Sequence, residues 1–410
     1  MQATLGENIA DGMDPRISLH EDTDYFLEMF WDNIDTAEHL ICLTTYEMDH
    51  KLVSSITVNK LCKACERGVR VYMVIEDLNC YLDAKQEQQL KTAGAVVVKH
   101  YPMKHFFDHW TDGHWRRMWN RNHHKVMLID NNIYTGSLNI AQRYTFRKYG
   151  SRSFRDLSIK LENYKAKYDT KEFILDSILM NKRYIEDFDE EDTRAVFKNI
   201  EEVFKKNDKE LKNEDYDVTF LREQPPRYTQ ISESMVNLVK NSKKKIQIIQ
   251  PYIQNIKELE DALEDALNRG VDVEIISARK RDQPIYASLL NSDLFSRMIK
   301  AGAKVYEEPY KYLHMKALSI DDKFLTLGSM NQDNTSFYEN NEANILIEEK
   351  NPHDSSKGVF PSFEKVFTNL KEECNEVDPN ERYTWTGGMK AFFWKRCLDL
   401  HGIITNNRKA

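Results

Sequence analysis

The chain has 410 residues, a formal net charge of −8 at pH 7 and six cysteines at scattered positions. Its length predicts two or three domains, and its cysteines indicate no disulfide framework. The negative charge argues against a nuclease, which normally presents a broad basic surface. Residues 1–24 are acidic and lack a signal-peptide core, and no stretch approaches the about 18 uninterrupted apolar residues of a membrane span. We therefore expect a soluble protein or one bound peripherally to a membrane.

The predicted elements follow the same order twice. In the first half, apolar periodicity predicts helices and strands in alternation at residues 25–33, 40–46, 53–67, 69–75, 90–93 and 96–98. In the second half, the matching segments are residues 231–241, 246–249, 259–269, 271–276, 295–301 and 305–306. Arg67-Gly68-Val69 and Arg269-Gly270-Val271 occupy equivalent turns from helix to strand. The sequence therefore predicts a tandem duplication of one α/β domain.

Two further segments lie outside the repeat. The highly charged residues 162–223 predict solvated helices that end in a linker at Gln224-Pro225-Pro226, with a partner-binding arm as the alternative. After Lys350, residues 360–367 predict an amphipathic helix, and residues 385–396 combine aromatic side chains with Lys and Arg. That composition suits a membrane interface or packing against the protein. The predicted domains are residues 1–161, 162–226, 227–350 and 351–410.

A short polar motif occurs once in each half. It consists of His and Lys two residues apart, an Asp five residues after the Lys, and then Gly-Ser-x-Asn: His123, Lys125, Asp130, Gly136, Ser137 and Asn139, and again His314, Lys316, Asp321, Gly328, Ser329 and Asn331. His and Lys point the same way only on a β-strand. An apolar run after each Lys and another before each Gly-Ser predict a β-hairpin. Each hairpin is expected to present His, Lys, Ser and Asn to one cleft.

These residue types suit chemistry at a phosphodiester. Two ammonium groups with Asn and Ser donors form a clamp for the charge that develops at phosphorus. One His attacks phosphorus, and the other protonates the leaving oxygen and later deprotonates the acceptor. Each imidazole needs an orienting carboxylate. His105, His109 and His114 are accompanied by no matching Cys or carboxylate pattern. We therefore expect no metal and no cofactor.

The pattern HxKxxxxD followed by GSxN is the signature of the phospholipase D superfamily, which the chain resembles over nearly its whole length. It is most similar to cardiolipin synthases of phospholipase D type, because the segments Arg121-Asn122-His123, Arg155-Asp156, Ser336-Phe337 and Asn340-Asn341-Glu342-Ala343-Asn344 also match. The subgroup usually has Gly-Gly where Gly136-Ser137 stands. The resemblance implies an α/β fold of two tandem phospholipase D-like domains, each a mostly parallel mixed sheet flanked by helices, forming a pseudo-twofold pair.

The resemblance also implies residue roles. Catalytic roles fall on His123, Lys125, Asp130, Asp156, His314, Lys316, Asp321 and Glu342. Phosphate binding falls on Ser137, Asn139, Ser329 and Asn331. In the family an acidic residue downstream of each motif supports a catalytic His, and Asp156 and Glu342 occupy these positions. The usual order of the motifs makes His123 the nucleophile and His314 the acid and base.

The implied activity is phosphatidyl transfer, in which a donor loads one His and the hydroxyl of phosphatidylglycerol attacks the phosphohistidine to form cardiolipin. CDP-diacylglycerol and phosphatidylethanolamine are alternative donors. Hydrolysis to phosphatidic acid, cleavage of a nucleic-acid backbone and a non-catalytic scaffold are the competing hypotheses. Tyrosyl-DNA phosphodiesterases are disfavoured, because their motifs lack the Asp found here.

The segment just before His123 is expected to border the site. The aromatic and basic residues 104–119 immediately precede His123 and are expected to form a wall of the cleft. They suit the acyl chains and head groups of a bilayer or a single-stranded nucleic acid. We expect peripheral contact with a membrane, either the mitochondrial inner membrane or the bacterial inner membrane, and no nucleic-acid partner, while the sequence leaves protein partners open.

Overall fold

A computed structural model describes residues 16–49, 51–102, 104, 120–182, 189–206, 215–254, 256–279, 282, 294–350 and 358–378. The aromatic wall predicted at residues 105–119, with His105, His109 and His114, lies outside the described residues, as does the tail at residues 385–396. Among the described helices, none combines the length and apolar composition needed to cross a bilayer.

The first half is built on a seven-stranded sheet. Its strands are β1 (Ile17–His20), β2 (Leu40–Thr45), β3 (Arg70–Glu76), β4 (Val96–His100), β5 (Lys125–Ile129), β6 (Asn132–Gly136) and β7 (Ser158–Glu162). Its helices are α1 (Thr23–Thr36), α2 (Leu52–Glu66), α3 (Ala84–Ala93) and the short α4 (Phe146–Tyr149). The strand order is β1-β7-β6-β5-β2-β3-β4.

Two longer helices follow β7. These are α5 (Ala166–Asn181) and α6 (Glu190–Lys206). The helices predicted in this charged segment are therefore present, but one face of each is buried: Phe173 and Ile178 of α5 and Ile200 and Phe204 of α6 belong to the central apolar core. Most of their charged residues lie on the more exposed faces, although Lys167 is buried.

The second half has a nine-stranded sheet. Its strands are β8 (Tyr216–Gln224), β9 (Tyr228–Thr229), β10 (Lys245–Gln250), β11 (Asp272–Ala278), β12 (Lys304–Glu308), β13 (Ala317–Ile320), β14 (Phe324–Gly328), β15 (Glu342–Glu349) and β16 (Asn375–Glu376). Its helices are α7 (Gln230–Asn241), α8 (Lys257–Asn268), α9 (294–300), α10 (Asn334–Tyr338) and α11 (Val359–Glu373). The strand order is β16-β12-β11-β10-β13-β14-β15-β8-β9.

Strand β8 corrects the predicted linker. Its nine residues pair antiparallel with β15 from Glu223 opposite Glu342 to Tyr216 opposite Glu349. Residues 216–224 thus belong to the second sheet and not to the charged helices and linker predicted at residues 162–226. The alternation of buried and exposed residues along β8 is that of a strand with one face on the core. The remaining predicted domain bounds stay predictions.

Both sheets are mixed, but the proportion of parallel pairing is lower than expected. In the first sheet only β2 with β3 and β3 with β4 run parallel. In the second sheet only β10 with β11 and β11 with β12 do so. All the other pairings in the two sheets are antiparallel. The hairpins β5-β6 and β13-β14 contribute to the difference, since a two-strand hairpin is necessarily antiparallel, and the strands that flank each hairpin also pair with it in the antiparallel sense.

The two halves share one apolar core. The central cluster joins Val126 and Leu157 of the first half to Leu313 and Ala343 of the second. Helix α11 also contributes to this cluster and contacts both β1 and β12. Because burial of apolar surface is the dominant favourable term in folding, this shared core holds the halves in a fixed relation and brings their motifs face to face.

Candidate active site

The two hairpins deliver the motif residues as expected. His123 and Lys125 stand at the start of β5, and His314 and Lys316 lie just before β13. Each lysine Nζ donates to the carbonyl of its own His, at 2.8 Å for Lys125 and 2.7 Å for Lys316. Both lysines are almost completely buried. Each His and Lys therefore stand together where the chain enters the hairpin, although His123, His314 and Lys316 precede the strands themselves.

The Gly of each Gly-Ser pair permits a close approach of backbones. A Cβ atom at Gly136 would lie 2.4 Å from the Leu157 oxygen, and one at Gly328 would lie 2.3 Å from the Ala343 oxygen. Glycine therefore allows the next strand to come close enough for the following Ser to reach the carboxylate on it. Ser137 Oγ donates to Asp156, and Ser329 Oγ donates to Glu342 at 2.5 Å.

These contacts give both serines a partner within the protein. Ser137 and Ser329 are fully buried and their hydroxyls donate to the carboxylates, and their role in phosphate binding stays a prediction. Asn139 also has a protein partner, because its Nδ2 donates to the Tyr144 hydroxyl at 2.6 Å. Asn331 is buried and makes no hydrogen bond to the residues that the structure describes. Phosphate binding by the two Asn residues stays a prediction.

The histidines and carboxylates pair across the two halves. His123 Nδ1 lies 2.8 Å from both oxygens of Glu342, and His314 Nδ1 lies 2.9 Å from Asp156 Oδ2. The backbone repeats this crossing, because the amide of His123 donates to the carbonyl of Asn341 at 2.9 Å and that of His314 to the carbonyl of Arg155 at 2.8 Å. Each imidazole is thus oriented by a carboxylate from the other half.

Burial sets the protonation of the histidines and lysines. Desolvation, and next the neighbouring lysines, hold the pKa of His123 well below its usual range. Desolvation and then Lys316 lower the pKa of His314 to about 3. Desolvation also lowers the pKa of Lys125 to about 8 and that of Lys316 to about 7, although nearby carboxylates oppose it. The two imidazoles are neutral at pH 7.

The neutral imidazoles have a defined tautomer. Where the carboxylate is ionised it only accepts hydrogen bonds, so Nδ1 of the His facing it carries the hydrogen and Nε2 keeps its lone pair. Burial raises the pKa of Glu342 to about 7, against the influence of Lys125 and two serine hydroxyls. One of these is Ser336 Oγ, which donates to Glu342 at 2.7 Å. Two nucleophilic nitrogens thus stand beside two lysines in a buried site.

Asp130 and Asp321 lie away from the cleft, which corrects their predicted catalytic role. Each follows the last residue of its strand, whereas the Lys stands at or before the first. A strand rises about 3.3 Å per residue, so the Asp is about 16 Å from the Lys along it. Asp130 accepts the amides of Glu38, His39 and Leu40 at 3.1, 3.0 and 3.0 Å. Asp321 does the same for Lys243, Lys244 and Lys245 at 2.8, 2.7 and 2.9 Å.

The sequence reasoning missed the aromatic side chains beside the histidines. The Tyr46 ring centroid lies 4.6 Å from that of His123, and Lys125 Nζ lies 5.1 Å from the Tyr46 ring. The Tyr144 ring is 5.4 Å from the His314 ring. Tyr46 directly follows β2, whose last residue pairs with Lys125. Its position after a strand that neighbours β5 was a signal for the site.

Among the described residues, no group of three or more His, Cys, Asp or Glu is placed to hold a metal ion.

Comparison with known proteins identifies the family. A family model described as "Cardiolipin synthase, PLD-like domain" matches residues 30–159 and 235–369, one range in each half. The chain belongs to this family. The resemblance predicted from the motifs and the α/β fold of two phospholipase D-like domains are therefore confirmed, and the predicted class of enzyme, a phosphatidyltransferase of phospholipase D type, is supported.

Several bacterial proteins are similar to most of the chain. Cardiolipin synthase 2 of Staphylococcus epidermidis is 25% identical over 362 residues, which are 85% of this chain and 67% of that protein. Cardiolipin synthase of Clostridium perfringens is 26% identical over 363 residues, which are 88% of this chain and 71% of that protein. Cardiolipin synthase 1 of Bacillus anthracis is 27% identical over 344 residues, 82% of this chain and 64% of that protein. All three relatives are bacterial, so they do not support the predicted mitochondrial alternative for the location.

A solved structure has the same fold over nearly the whole chain. Phosphatidylserine synthase of Haemophilus influenzae superposes with a TM-score of 0.71 and covers 96% of both chains at 16% identity. At this identity the similarity concerns the fold alone. It supports the α/β fold of two tandem domains.

Proposed function

We propose that the protein is a phosphatidyltransferase that forms cardiolipin from phosphatidylglycerol and a phosphatidyl donor, through a covalent phosphohistidine. The observation that carries the proposal is the pair of crossed dyads, His123 with Glu342 and His314 with Asp156, beside the buried Lys125 and Lys316. The similarity to bacterial cardiolipin synthases supports the choice of acceptor.

The first half-reaction loads the enzyme. The donor's phosphate enters between Lys125 and Lys316, whose ammonium groups stabilise the charge that develops on its oxygens. His123 Nε2 attacks phosphorus, and the bond from phosphorus to the leaving oxygen breaks. His314 supplies the proton that the leaving oxygen takes up. The anionic phosphate raises the pKa of His314 in the complex, because a nearby negative charge favours the imidazolium.

The second half-reaction transfers the phosphatidyl group. His314 is now neutral, so its Nε2 accepts the proton of the acceptor hydroxyl while the oxygen attacks phosphorus. The bond between phosphorus and His123 Nε2 breaks, and the enzyme returns to its starting state. Glu342 and Asp156 hold the two imidazoles in the required orientation and stabilise positive charge on them. Water and a glycerol hydroxyl attack the same intermediate, so the shape and dryness of the cleft decide between hydrolysis and transfer.

The decisive experiment is incubation of the protein with labelled phosphatidylglycerol, with and without CDP-diacylglycerol, followed by lipid analysis. Cardiolipin as the main product supports the proposal, and a requirement for CDP-diacylglycerol identifies the donor. Phosphatidic acid alone means that the protein is a hydrolase. Inertness toward lipids with cleavage of oligonucleotides means that it is a nuclease.

The roles of the two histidines have a separate test. His123→Ala and His314→Ala variants are quenched in acid-free denaturant and examined for a lipid-bearing phosphohistidine by mass spectrometry. We expect an adduct at His123 that accumulates in His314→Ala, because that variant lacks the base for the second step. A stable adduct at His314 in His123→Ala contradicts the assignment.

We also propose that the catalytic end of the sheets faces a membrane surface. Six large apolar side chains are exposed among the described residues: Tyr25, Leu52, Leu78, Tyr81, Phe146 and Tyr310. All six follow strand ends on the side where the His and Lys residues stand. Exposed aromatic and aliphatic side chains at one end of the sheets suit the interface of a bilayer.

Vesicle binding tests this contact. Sedimentation with phosphatidylglycerol vesicles is compared for the wild type and a Tyr81→Ser, Tyr310→Ser double variant. We expect the double variant to bind at least fivefold more weakly, because two of the most exposed rings are lost. Equal binding by both proteins contradicts the proposed orientation.

A further inference from the structure

One ion pair breaks the symmetry of the cleft. Arg143, in the one-turn helix Gln142–Tyr144 that follows the first Gly-Ser-x-Asn, lies with Nη2 2.9 Å from an oxygen of Glu47. The Glu47 side chain is 9% exposed, whereas that of Arg143 is 46% exposed. The carboxylate is thus buried in the protein, and the guanidinium reaches the solvent.

The second half has no such pair. Counted from the serines, Arg143 is six residues after Ser137, and the residue six after Ser329 is Thr335. The matching bridges of Met48 to Ile140 and of Ile253 to Gln332 make Tyr252 the equivalent of Glu47. The two halves supply equivalent His, Lys and carboxylate residues, so the Arg143–Glu47 pair is a difference that can distinguish the two sides of the site.

Arg143 stands on the His314 side of the cleft. Its Cζ lies 5.8 Å from the Phe154 ring centroid, and that ring is 6.2 Å from the His314 ring. The next residue, Tyr144, has its ring 5.4 Å from the same imidazole. Under the proposed function, His314 is the base that takes the proton from the acceptor hydroxyl. The Phe154 ring therefore lies between the guanidinium and His314, and Arg143 is one aromatic ring away from the imidazole at which the acceptor hydroxyl must bind.

Most of the donors of Arg143 remain available to a ligand. Within the described part of the chain it makes one ion pair with Glu47 and one ring contact with Phe154. A guanidinium has five N–H groups in a planar fork that suits two oxygens of a phosphate. Glu47 fixes one end of the fork, because a buried carboxylate is costly to leave without a partner. The other N–H groups of the Arg143 guanidinium are held in place by this ion pair, and no second carboxylate among the described residues neutralises their charge.

The acceptor of the proposed reaction has a matching group. Phosphatidylglycerol carries its own phosphodiester, separated from the attacking hydroxyl by the three carbons of the glycerol head group. We propose that Arg143 binds the phosphodiester of the acceptor lipid while its hydroxyl lies at His314, and that Glu47 holds the guanidinium in position. This inference rests on the proposed function, and it concerns the choice of acceptor and not the chemistry at the histidines. Water and simple alcohols lack the phosphate and gain nothing from Arg143.

A competition between two acceptors tests the inference. The protein is incubated with fluorescent phosphatidylglycerol in mixed micelles that also contain 1-propanol. Cardiolipin reports attack by a lipid acceptor, and phosphatidylpropanol reports attack by an alcohol without phosphate on the same intermediate. We expect Arg143→Gln to lower the ratio of cardiolipin to phosphatidylpropanol about tenfold or more, the loss appropriate to a charge-assisted phosphate contact. Arg143→Lys keeps the charge and is expected to restore part of the ratio.

Two controls separate this effect from damage to the fold. Arg70→Gln removes another partly exposed arginine with one carboxylate partner, Glu202, but at the opposite end of its strand from the cleft, and its ratio should equal that of the wild type. The Glu47→Gln, Arg143→Gln double variant leaves no unpaired buried charge and should show the same low ratio as Arg143→Gln. An unchanged ratio in Arg143→Gln overturns the inference while the proposed function stands. A wild type that forms neither lipid product overturns both.

Discussion

Replacement of Asp130 should cost stability and leave the chemistry nearly intact. Its carboxylate accepts three backbone amides, from Glu38, His39 and Leu40. Hydrogen bonds to charged groups contribute about 1.5–3 kcal/mol each where they are buried. Here the turn is partly exposed and water can replace the carboxylate, so we take about 1 kcal/mol for each bond.

The backbone adds to this cost. Asp130 has φ 50°, in the left-handed region that Asp and Asn tolerate better than other residues with a side chain. Ala at this position should lose a further 1 kcal/mol or so, which brings Asp130→Ala to about 4 kcal/mol in the free energy of unfolding. Asn keeps the conformation and one acceptor oxygen, so Asp130→Asn should lose about 1–2 kcal/mol.

Urea denaturation followed by circular dichroism measures the stability of both variants, and lipid turnover at 10 °C measures kcat for the folded fraction. We expect kcat within threefold of the wild type in both. Asp321→Ala and Asp321→Asn provide the matched pair in the second half, because Asp321 has φ 55° and also accepts three amides. A hundredfold loss of kcat in Asp130→Asn at an unchanged urea midpoint would refute the reasoning.

The remaining predictions concern the cleft. Glu342→Gln should lower kcat about 10²–10⁴-fold without unfolding the protein, because His123 loses its orienting carboxylate. In the His123→Ala background, Glu342→Gln should lower kcat no further. Losses of kcat that add up in the double variant would contradict the pairing of the two residues. Burial lowers the pKa of Lys316 to about 7, and the residue is expected to act as a cation, so kcat/KM should fall as the pH rises above 7. Lys316→Arg should shift this fall to higher pH. A kcat/KM that stays constant up to pH 9 in the wild type would contradict the cationic role of Lys316. Gly328→Ala should abolish soluble, active protein, because its Cβ would lie 2.3 Å from the Ala343 oxygen, and normal expression and activity would contradict that approach.

Much of the cleft could be predicted from local sequence. Spacing alone placed His123 with Lys125, and His314 with Lys316. The five-residue spacing between Lys125 and Asp130 also explains why Asp130 lies away from the His and Lys side chains. The apolar residues 126–129 fill a strand, and a residue that follows a strand cannot lie beside one that begins it. The resemblance assigned a catalytic role by motif where the strand geometry indicates a structural one.

Other features required the docking of distant parts of the chain. The pairing of His123 with Glu342 joins residues 219 positions apart, and nothing in the local sequence says which carboxylate serves which imidazole. Tyr216–Gln224 contained the alternation of a strand, but charged residues on its exposed face and the following prolines favoured a linker. Its assignment depended on β15, whose free edge it covers.

The crossed dyads make the enzyme indivisible. Each half contains a complete set of residue types, and yet an isolated half would hold a histidine without its carboxylate and a carboxylate without its histidine. A single half could act only by pairing with a second copy of itself, which is the arrangement expected of an ancestor before the two copies were fused. In the present chain, any loosening of the shared core would disable both histidines at once. The packing between the halves is therefore as necessary to the two dyads as the paired side chains themselves.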